Sequence, residues 1–322
     1  MTPATLVGLA DIEAAAERIR GVALRTPVVD VDIVGSRSTG SPRPLGLKCE
    51  NLQPIGAFKI RGAYNMVARL PDDLRKGGVI TYSSGNHGQA VALAARRLDV
   101  PAVIVMPETA PQVKVDGVRR HGGEVIFAGT TSVDRRVRAE SEAAARGLTI
   151  VPPFDHPWII AGAGTCGLEI LEQRTDVSAI YVPVGGGGLI SGIAAAVKGS
   201  GRAVRIIGVE PAGAAKMSAS RRANHPVRLE RTSSIADGLL PLQPGDLTFA
   251  HVQAFVDDIV TVDDEAIAAA VRWLFREARI VAEPSGAASV AAVLQSASID
   301  AGTVAVISGG NVSEVDYARY IA

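Results

Sequence analysis

The sequence predicts an α/β protein with two domains and mostly parallel, twisted sheets. The first observation behind this prediction is an alternation of short β-branched runs with Ala-rich helical stretches, which is typical of βαβ units. The second is that glycine-rich segments follow several of the apolar runs, as loops at strand ends do. The third is composition: 322 residues that are 47% hydrophobic and 4% aromatic provide a substantial core.

The alternation occurs in both halves of the chain and is sufficient for two sheets. In the first half the predicted elements are Gly78–Thr81, Gly88–Arg97, Ala102–Met106, Pro111–His121 and Glu124–Ala128. In the second half they are Ala179–Val184, Leu189–Val197, Val204–Val209, Ile267–Ala278 and Val304–Ile307. Ligands of parallel sheets bind beyond the carboxyl ends of the strands, so the loops at those ends are the first candidates for a site. The candidate loops are Gln53–Gly62, Ser83–Gly88, Gly185–Gly188 and Ser308–Asn311.

Charge and hydropathy exclude several classes of partner. The 33 basic residues balance the 33 acidic ones, so the chain has no electrostatic footprint for nucleic acid. The absence of a leader-like N-terminus and of a long apolar stretch predicts a cytoplasmic protein without membrane contact. Cys49 and Cys166 do not form a disulfide framework or a metal-ligand cluster, and we expect both to be small core residues.

Two glycine segments invite a dinucleotide interpretation. Gly162–Gly167 matches the G-x-G-x-x-G pattern, but no acidic residue ends a strand at the expected distance, so we expect a tight turn before a helix at Leu168. Gly185–Gly188 lies between a predicted strand and a helix, and Glu210 follows the next strand. The third glycine of the fingerprint is missing there. A phosphate at a glycine-lined helix N-terminus is therefore predicted, with a dinucleotide oxidoreductase as the alternative from a different class.

A run of motifs carries a resemblance to one family. The segment Lys48–Ala63, which contains Lys59, resembles the lysine motif of fold-type II pyridoxal-phosphate enzymes such as threonine dehydratase and serine racemase. The motifs that follow it in order are Ser83–Gln89, Gly185–Gly188, Val209–Pro211, Ala236–Gly238, Glu283–Pro284 and Ser308–Asn311. Together they extend over nearly the whole chain. The resemblance implies a fold similar to the β subunit of tryptophan synthase.

The resemblance also implies a domain division and an assembly. Residues 1–51 and 157–322 would form a large cofactor-binding domain, and residues 52–156 a small mobile domain that closes over the substrate. We expect a homodimer and no regulatory domain after the cofactor motifs. A catalytically silent binding protein on the same fold is a further alternative, because fold does not fix function.

By resemblance, pyridoxal 5'-phosphate is the cofactor and Lys59 is the lysine that binds it as a Schiff base. The glycines would hold the phosphate, Asn86 would contact the phenolic oxygen, and Ser308 would face the pyridine nitrogen. A neutral hydroxyl there favours elimination over transamination. The cofactor-binding residues implied are Phe58, Lys59, Asn86, Gly185, Gly186, Gly187, Gly188, Leu189, Gly238, Glu283, Ser308 and Gly309.

A Schiff-base lysine must lose its proton, and an apolar or cationic setting lowers its pKa. Lys59 stands between Phe58 and Ile60 and near Arg61, which is consistent with that requirement. The local sequence fits a solvated surface lysine equally well. The family resemblance decides for catalysis.

The implied reaction removes water and then ammonia from a β-hydroxy-α-amino acid and yields a 2-oxo acid. Lys59 would act as carrier and general base, and Ser84 as acid-base group on the opposite cofactor face if the protein also racemises. Serine after a strand is also a common cap residue. The implied substrate-binding residues are Ser83, Ser84, Gly85, Asn86, His87, Arg135 and Phe154.

Two positions bear on specificity and metal dependence. Phe154, where serine racemases carry asparagine, favours threonine or a bulkier aryl substrate such as phenylserine, although it also fits a core position. Arg135 could instead meet a distal carboxylate, so amino-acid racemisation and 3-hydroxyaspartate dehydration are the alternatives. Glu210 matches a divalent-cation ligand of the family, but Lys216 stands where a second carboxylate is expected. An ammonium cannot ligate a cation, so we expect no metal and a Lys216 charge beside Glu210.

Overall fold

A computed structural model describes residues 5–33, 43–83, 85–110 and 112–322. The helices are α1 (Leu9–Ile19), α2 (Lys59–Arg69), α3 (Asp72–Gly77), α4 (Asn86–Arg97), α5 (Gln112–Arg120), α6 (Ser132–Arg146), α7 (Pro157–Gln173), α8 (Gly188–Gly199), α9 (Lys216–Ala223), α10 (Asp246–Phe255), α11 (Asp264–Trp273), α12 (Pro284–Gln295) and α13 (Glu314–Ile321). The strands are β1 (Val28–Ile33), β2 (Arg43–Cys49), β3 (Val79–Tyr82), β4 (Ala102–Met106), β5 (Glu124–Phe127), β6 (Thr149–Ile150), β7 (Ala179–Pro183), β8 (Arg205–Pro211), β9 (Asp258–Val262) and β10 (Thr303–Ile307). Short 3-10 turns lie at Glu50–Leu52, Ala212–Ala214 and Asp237–Leu239, and a π-helical turn at Leu274–Ala278 extends α11.

The larger sheet has the strand order β1-β2-β10-β7-β8-β9. Strands β1 and β2 pair in antiparallel fashion, and the strands from β2 to β9 across the sheet run parallel. Strand β10 is buried along its whole length. Because helices cover both faces of a parallel sheet, its central strands are near-continuous apolar runs, as the sequence indicates.

The smaller sheet has the order β5-β4-β3-β6, and all its pairs are parallel. Its strands occupy residues 79–150, inside the segment that we predict to be the small domain. The predicted α/β fold class with two mostly parallel sheets is confirmed. The domain boundaries and the mobility of the small domain stay predictions.

The structure corrects the prediction for Gly162–Gly167, which lies inside α7 and not in a turn before a helix. A Cβ atom on Gly162 would come within 2.4 Å of the carbonyl oxygen of Arg61 in α2. A Cβ atom on Gly192 in α8 would come within 2.4 Å of the amide nitrogen of Gly164. The glycines therefore allow the backbones of three helices to approach one another directly.

The two cysteines belong to the core, as predicted. Cys49 and Cys166 are buried free thiols. Burial raises the pKa of Cys49 to about 11, so this thiol stays protonated and unreactive. Among the helices of the described residues, none combines the length and the apolar character needed to cross a bilayer.

Candidate active site

A cavity of about 1120 Å³ opens at the carboxyl ends of strands from both sheets. Its walls include the loops that follow β3, β7 and β10, which is where ligands of parallel sheets bind. The predicted site residues that line it are Phe58, Lys59, Ser83, Gly85, Asn86, His87, Arg135, Phe154, Gly185, Gly186, Gly187, Gly188, Leu189, Gly238, Glu283 and Ser308. Gly309 follows Ser308 just outside the lining, and Ser84 lies outside the described residues.

Lys59 begins α2, and its amino group lies in this cavity. The Nζ atom donates a hydrogen bond to the carbonyl oxygen of Pro153 at 2.7 Å and lies 5.0 Å from the centre of the Phe58 ring. Burial lowers the pKa of Lys59 to about 8. An appreciable fraction of this amine is therefore uncharged near neutral pH, as a nucleophile or a general base requires.

The cause of that shift is burial alone, and the predicted contribution of Arg61 is wrong. The Arg61 guanidinium is fully buried and turns away from the cavity into a pair of carboxylates. It donates to the two carboxylate oxygens of Glu50 at 2.7 and 2.8 Å, and to those of Glu169 at 2.7 and 2.8 Å. Because two carboxylates neutralise this guanidinium, it exerts no net positive field on Lys59.

Backbone hydrogen bonds fix the Lys59 segment to the end of β10. The Phe58 amide donates to the Ser308 carbonyl at 3.0 Å, and the Gly310 amide donates to the Gly56 carbonyl at 2.9 Å. Gly56 has a φ of 70°, a left-handed conformation that favours glycine. The lysine and the Ser308 loop, which are some 250 positions apart in sequence, are thus held in one register.

The four-glycine loop leads from β7 into the first turn of α8. Gly187 has a φ of 99°, and a Cβ atom there would lie 2.9 Å from both Met217 and Thr248. Cβ atoms on Gly186 and Gly188 would lie 2.3 and 3.0 Å from the side chain of Phe154. The loop has no space for side chains, so its amides and the helix N-terminus remain open toward the cavity. This arrangement suits a phosphate.

An amide and a carboxylate form a second polar wall. Asn86 Nδ2 donates to Glu283 Oε1 at 2.6 Å, and Asn86 Oδ1 accepts from Asn311 Nδ2 at 2.8 Å. Asn311 Nδ2 also donates to the carbonyl of Ile55 at 2.7 Å. Burial, followed by the charge of Asp237, raises the pKa of Glu283 to about 8. These contacts fix the orientation of the Asn86 amide.

Ser308 and Gly238 meet through Ser285 at the opposite side of the cavity. Ser308 Oγ lies 3.4 Å from the carbonyl oxygen of Ser285, and Ser285 Oγ accepts the Gly238 amide at 2.9 Å. Asp237, next to Gly238, forms an ion pair with Lys114. Lys114 belongs to α5 of the smaller sheet, so this pair connects the two walls of the cavity.

The loop after β3 leads to the N-terminus of α4 at the wall of the cavity. Ser83 Oγ accepts the Gly85 amide at 3.1 Å. His87 Nε2 lies 3.1 Å from the carbonyl oxygen of Val151, and burial followed by the charge of Lys59 lowers the pKa of His87 to about 3. His87 is therefore a neutral, structural donor and not a proton carrier.

Arg135 and Phe154 lie on different parts of the wall. Arg135 is half-buried near the start of α6; its Nη1 is 3.5 Å from the carbonyl of Thr130, and its Nε has no partner among the described residues. Phe154 packs against the glycine loop, as its closeness to Gly186 shows. Both residues line the cavity, but the Nε atom of Arg135 is shielded, and Phe154 is engaged with the loop predicted to hold a phosphate.

Glu210, which matches a cation ligand of the family, pairs with Lys216, as the sequence analysis expected. Lys216 Nζ lies 3.4 Å from Glu210 Oε1, and neither side chain is exposed. Glu210 also accepts the amides of Met217 and Ser218, each at 2.8 Å. No group of three or more potential His, Cys, Asp or Glu ligands occurs within the described parts of the chain. These residues do not fit a divalent cation.

Sequence reasoning missed three contributors to the cavity. The carbonyl of Pro153, the Lys114–Asp237 ion pair and the amide of Asn311 were not assigned roles. Asp237 and Asn311 lie inside motifs that carried the resemblance, so the signal was present for both. The partner of a backbone carbonyl, as for Pro153, depends on the fold and leaves no trace in the sequence.

Comparison with known proteins places this geometry in a family. Residues 19–310 match the family described as "Pyridoxal-phosphate dependent enzyme". The chain is 43% identical over 308 residues to L-threonine ammonia-lyase of Thermotoga maritima, covering 95% of this chain and 76% of that protein. It is 38% identical to serine racemase of Schizosaccharomyces pombe over 314 residues, 97% of this chain and 96% of that one.

Structural comparison agrees. The structure of maize serine racemase superposes with a TM-score of 0.90 at 36% identity, covering 98% of this chain and 97% of that one. The chain spans about half the length of the biosynthetic L-threonine dehydratases of Salmonella typhimurium and Escherichia coli. With the lysine, the glycine loop and the asparagine gathered in one cavity, these matches show that the chain belongs to the fold-type II pyridoxal-phosphate enzymes, in the family of threonine dehydratases and serine racemases.

Proposed function

We propose that the protein is an ammonia-lyase that converts a β-hydroxy-α-amino acid of the threonine or serine type to a 2-oxo acid and ammonia. The observation that carries this proposal is the position of Lys59, a desolvated amine with a pKa lowered to about 8, opposite the four-glycine loop. The threonine ammonia-lyase relative at 43% identity supports the elimination reaction.

The residues present fit pyridoxal phosphate. The glycine loop, where Cβ atoms on Gly186 and Gly187 would meet neighbouring atoms at 2.3 and 2.9 Å, offers backbone amides to the phosphate. Asn86, oriented by Glu283 and Asn311, offers its second amide hydrogen to the phenolic oxygen. Ser308 offers a neutral hydroxyl to the pyridine nitrogen. The cofactor supplies an electron sink for negative charge at the substrate α-carbon.

In the reaction Lys59 has two tasks. Its Nζ atom would hold the cofactor, and as a free amine it would take the proton from the substrate α-carbon. Both tasks require the uncharged amine, and burial supplies it. The buried cluster of Glu50, Arg61 and Glu169 fixes the first turn of α2, so the amine is delivered to one position.

The loop from Ser83 to His87 is proposed to bind the substrate carboxylate through amides at the start of α4. Asn86 begins that helix, and the amides of a first helical turn stabilise an anion. The neutral state of His87 keeps a positive charge from competing with Lys59 for the substrate. The closing motion of residues 52–156, the homodimer and the cytoplasmic location stay predictions.

A second candidate is 3-hydroxyaspartate, favoured by one observation. Arg135 lines the cavity, and its Nη1 atom has only a 3.5 Å contact with the carbonyl of Thr130, so the guanidinium would pair with a distal substrate carboxylate. Phe154 packs against the glycine loop, so its ring is engaged there and gives little support to an aryl substrate. Racemisation with Ser84 as acid-base group is the third candidate, supported by the 38% identity to serine racemase.

One experiment tests the proposal. The purified protein is incubated with L- and D-threonine, L- and D-serine, phenylserine and 3-hydroxyaspartate, and 2-oxo acid, ammonia and enantiomer composition are measured. Lys59→Ala should lose the visible absorbance of the bound cofactor and turnover together, whereas Lys198→Ala, at a surface ion pair with Asp257, should keep both. Undiminished turnover in Lys59→Ala would refute the proposal. Arg135→Ala should lower turnover of 3-hydroxyaspartate, which carries a distal carboxylate, and leave turnover of threonine unchanged.

A further inference from the structure

A fully buried lysine occupies a cage of oxygen atoms directly behind the glycine loop. Lys216 Nζ donates to the carbonyl oxygens of Val184 at 3.1 Å, Ala214 at 3.0 Å and Leu239 at 2.8 Å. Glu210 Oε1 lies 3.4 Å from the same nitrogen. An ammonium can donate to all three carbonyls, whereas a neutral amine has only two N–H donors, so the cage suits the charged form.

The three carbonyls belong to three separate segments, two of which border the cofactor site. Val184 immediately precedes Gly185, Ala214 ends the 3-10 turn after β8, and Leu239 follows Gly238. Gly185 packs against the Gly238 segment, since a Cβ atom on Gly185 would lie 3.0 Å from the Gly238 carbonyl oxygen. One ammonium therefore holds together the start of the glycine loop and the segment that faces it.

The first turn of α9 supports the same loop from a second point. Met217, next to Lys216, packs behind Gly187, where a Cβ atom would lie 2.9 Å from Met217 Cε. Glu210 accepts the amides of Met217 and Ser218 and so caps α9. The position of this helix, and with it the position of the glycine loop, depends on the Glu210–Lys216 pair.

A divalent cation does not fit this cage. Mg²⁺ requires about six oxygen ligands and Ca²⁺ six to eight, whereas the oxygens here already accept the three ammonium hydrogens. Glu210 has the only carboxylate within reach in the described residues, and its oxygens are also engaged with backbone amides. A divalent cation at this point would lie beside the buried Lys216 ammonium without a further carboxylate to balance its charge.

We propose that Lys216 is a positioning residue, a tethered cation that fixes the phosphate-binding glycine loop and makes the site independent of divalent metal. The inference rests on the proposed cofactor site, and it adds the means by which that site is held in shape. Removal of the ammonium leaves three buried carbonyls without this donor and the buried Glu210 carboxylate without a cation, which displaces the loop and weakens cofactor binding.

The wild-type protein provides the first test, without any substitution. Protein exhaustively treated with chelator and dialysed into tetramethylammonium chloride should keep its affinity for pyridoxal phosphate, measured by equilibrium dialysis. Added Mg²⁺ or Ca²⁺ should change neither that affinity nor the unfolding temperature. A loss of cofactor on chelation that either cation restores would overturn the proposal.

Two buried lysines form a matched pair for substitution. Lys48 is as buried as Lys216 and binds Thr26, Glu169 and Gln173, but it does not line the cavity. Lys216→Met should weaken binding of pyridoxal phosphate by about tenfold or more, whereas Lys48→Met should lower the unfolding temperature and leave the affinity of the folded fraction within about twofold. If Lys216→Met does not fold, the double substitution with Glu210→Gln removes the unpaired carboxylate and repeats the measurement.

Chemical rescue distinguishes a cation from a mere space-filler. Lys216→Ala should regain most of its cofactor affinity in methylammonium chloride, because methylammonium carries three N–H donors, but not in tetramethylammonium chloride at equal ionic strength. Equal rescue by both salts, or wild-type affinity in Lys216→Met, would refute the proposal. All readouts are cofactor affinity and unfolding, so a holoprotein without lyase activity would refute the proposed function and leave this inference intact.

Discussion

Two cations on the first turn of α2 have opposite surroundings. Arg61 is fully buried and donates to both oxygens of Glu50 and both oxygens of Glu169. Lys59, two residues earlier, has one carbonyl partner, that of Pro153, and is paired with no carboxylate among the described residues. The charge of Arg61 is neutralised by carboxylates, and that of Lys59 is desolvated without an anionic partner.

The difference shows how one helix turn can serve rigidity and reactivity together. A guanidinium with five donors and two carboxylates fixes the direction of α2 from below. An amine without an anionic partner loses its proton more readily, and the energy of that desolvation is supplied by the rest of the fold. Ion pairing neutralises the charge of Arg61, whereas burial without an anionic partner lowers the pKa of Lys59.

Breaking the Arg61 pair should have the largest effect on the protein. Arg61→Met leaves Glu50 buried and unpaired, so we expect a loss of about 3–5 kcal/mol in the free energy of unfolding. Urea denaturation of the apoprotein measures this loss. Arg138→Met, which removes an exposed pair with Glu142, is the control and should change stability by about 0.5 kcal/mol or less. Similar effects from the two substitutions would contradict the comparison.

Removing the Lys59 charge should stabilise the apoprotein. The pKa of Lys59 is about 8 in the fold and 10.5 when unperturbed, so below pH 8 both states are protonated and the folded state carries the whole desolvation cost. Lys59→Met should therefore raise the free energy of unfolding by about 1–2 kcal/mol below pH 8, because the side chain is only half-buried. The gain should shrink as pH rises toward 10.5.

Lys48 sharpens this test because it should respond with the opposite sign. Its ammonium is fully buried but paired with Glu169 at 2.6 Å. Lys48→Met should destabilise the protein at every pH where Glu169 is charged. If both methionine variants lose stability, the Lys59 ammonium stabilises the fold and is not an uncompensated buried charge.

The pH dependence of cofactor capture should follow the same amine. The rate at which apoprotein binds pyridoxal phosphate should rise about tenfold per pH unit below the Lys59 pKa and level off above pH 8, since only the uncharged amine reacts. Stopped-flow absorbance between about pH 6 and about pH 9 measures it. An N-acetyl-lysine reference in the same buffers corrects for ionisation of the cofactor. A plateau that coincides with that reference would show that Lys59 is not shifted.

The sequence was sufficient for the alternating elements and the glycine loop, because each leaves a local signature, whereas the role of Lys59 came from the family resemblance and stays a proposal. Strands that are buried on both faces appear as continuous apolar runs in the sequence. A loop that has no space for side chains consists of glycines. It was not sufficient for Gly162–Gly167. Those glycines are required because the backbones of α2 and α8 pack closely against α7, and both helices are distant in sequence. The same glycine pattern also fits a turn.

The partners of the buried charged side chains could not be predicted from the sequence either. Arg61 stands two positions from Lys59, and proximity in sequence suggested an influence that the carboxylates of Glu50 and Glu169 remove. Lys216 was placed beside Glu210 by family alignment, but the carbonyls around it come from three loops. A side chain's identity is local, whereas its partner is a property of the fold.

The smallest effect should come from the amide that orients Asn86. Asn311 Nδ2 donates to Asn86 Oδ1 at 2.8 Å, which leaves Asn86 Nδ2 for Glu283 and for the cofactor. Asn311→Ala allows the Asn86 amide to turn, so we expect about tenfold weaker cofactor binding with a shift of its absorbance band and little change in stability.

Asn311→Asp separates orientation from volume. An aspartate keeps the shape of the residue but offers acceptors where Asn86 Oδ1 needs a donor, so it should weaken cofactor binding at least as much as alanine. Asn51→Ala, which removes a hydrogen bond to the Val281 carbonyl outside the cavity, is the control. If Asn311→Asp binds the cofactor as tightly as the wild type does, Glu283 alone holds the Asn86 amide. The effect of hydrogen-bond partners that distinguishes Arg61 from Lys59 would then not extend to the uncharged amides of this site.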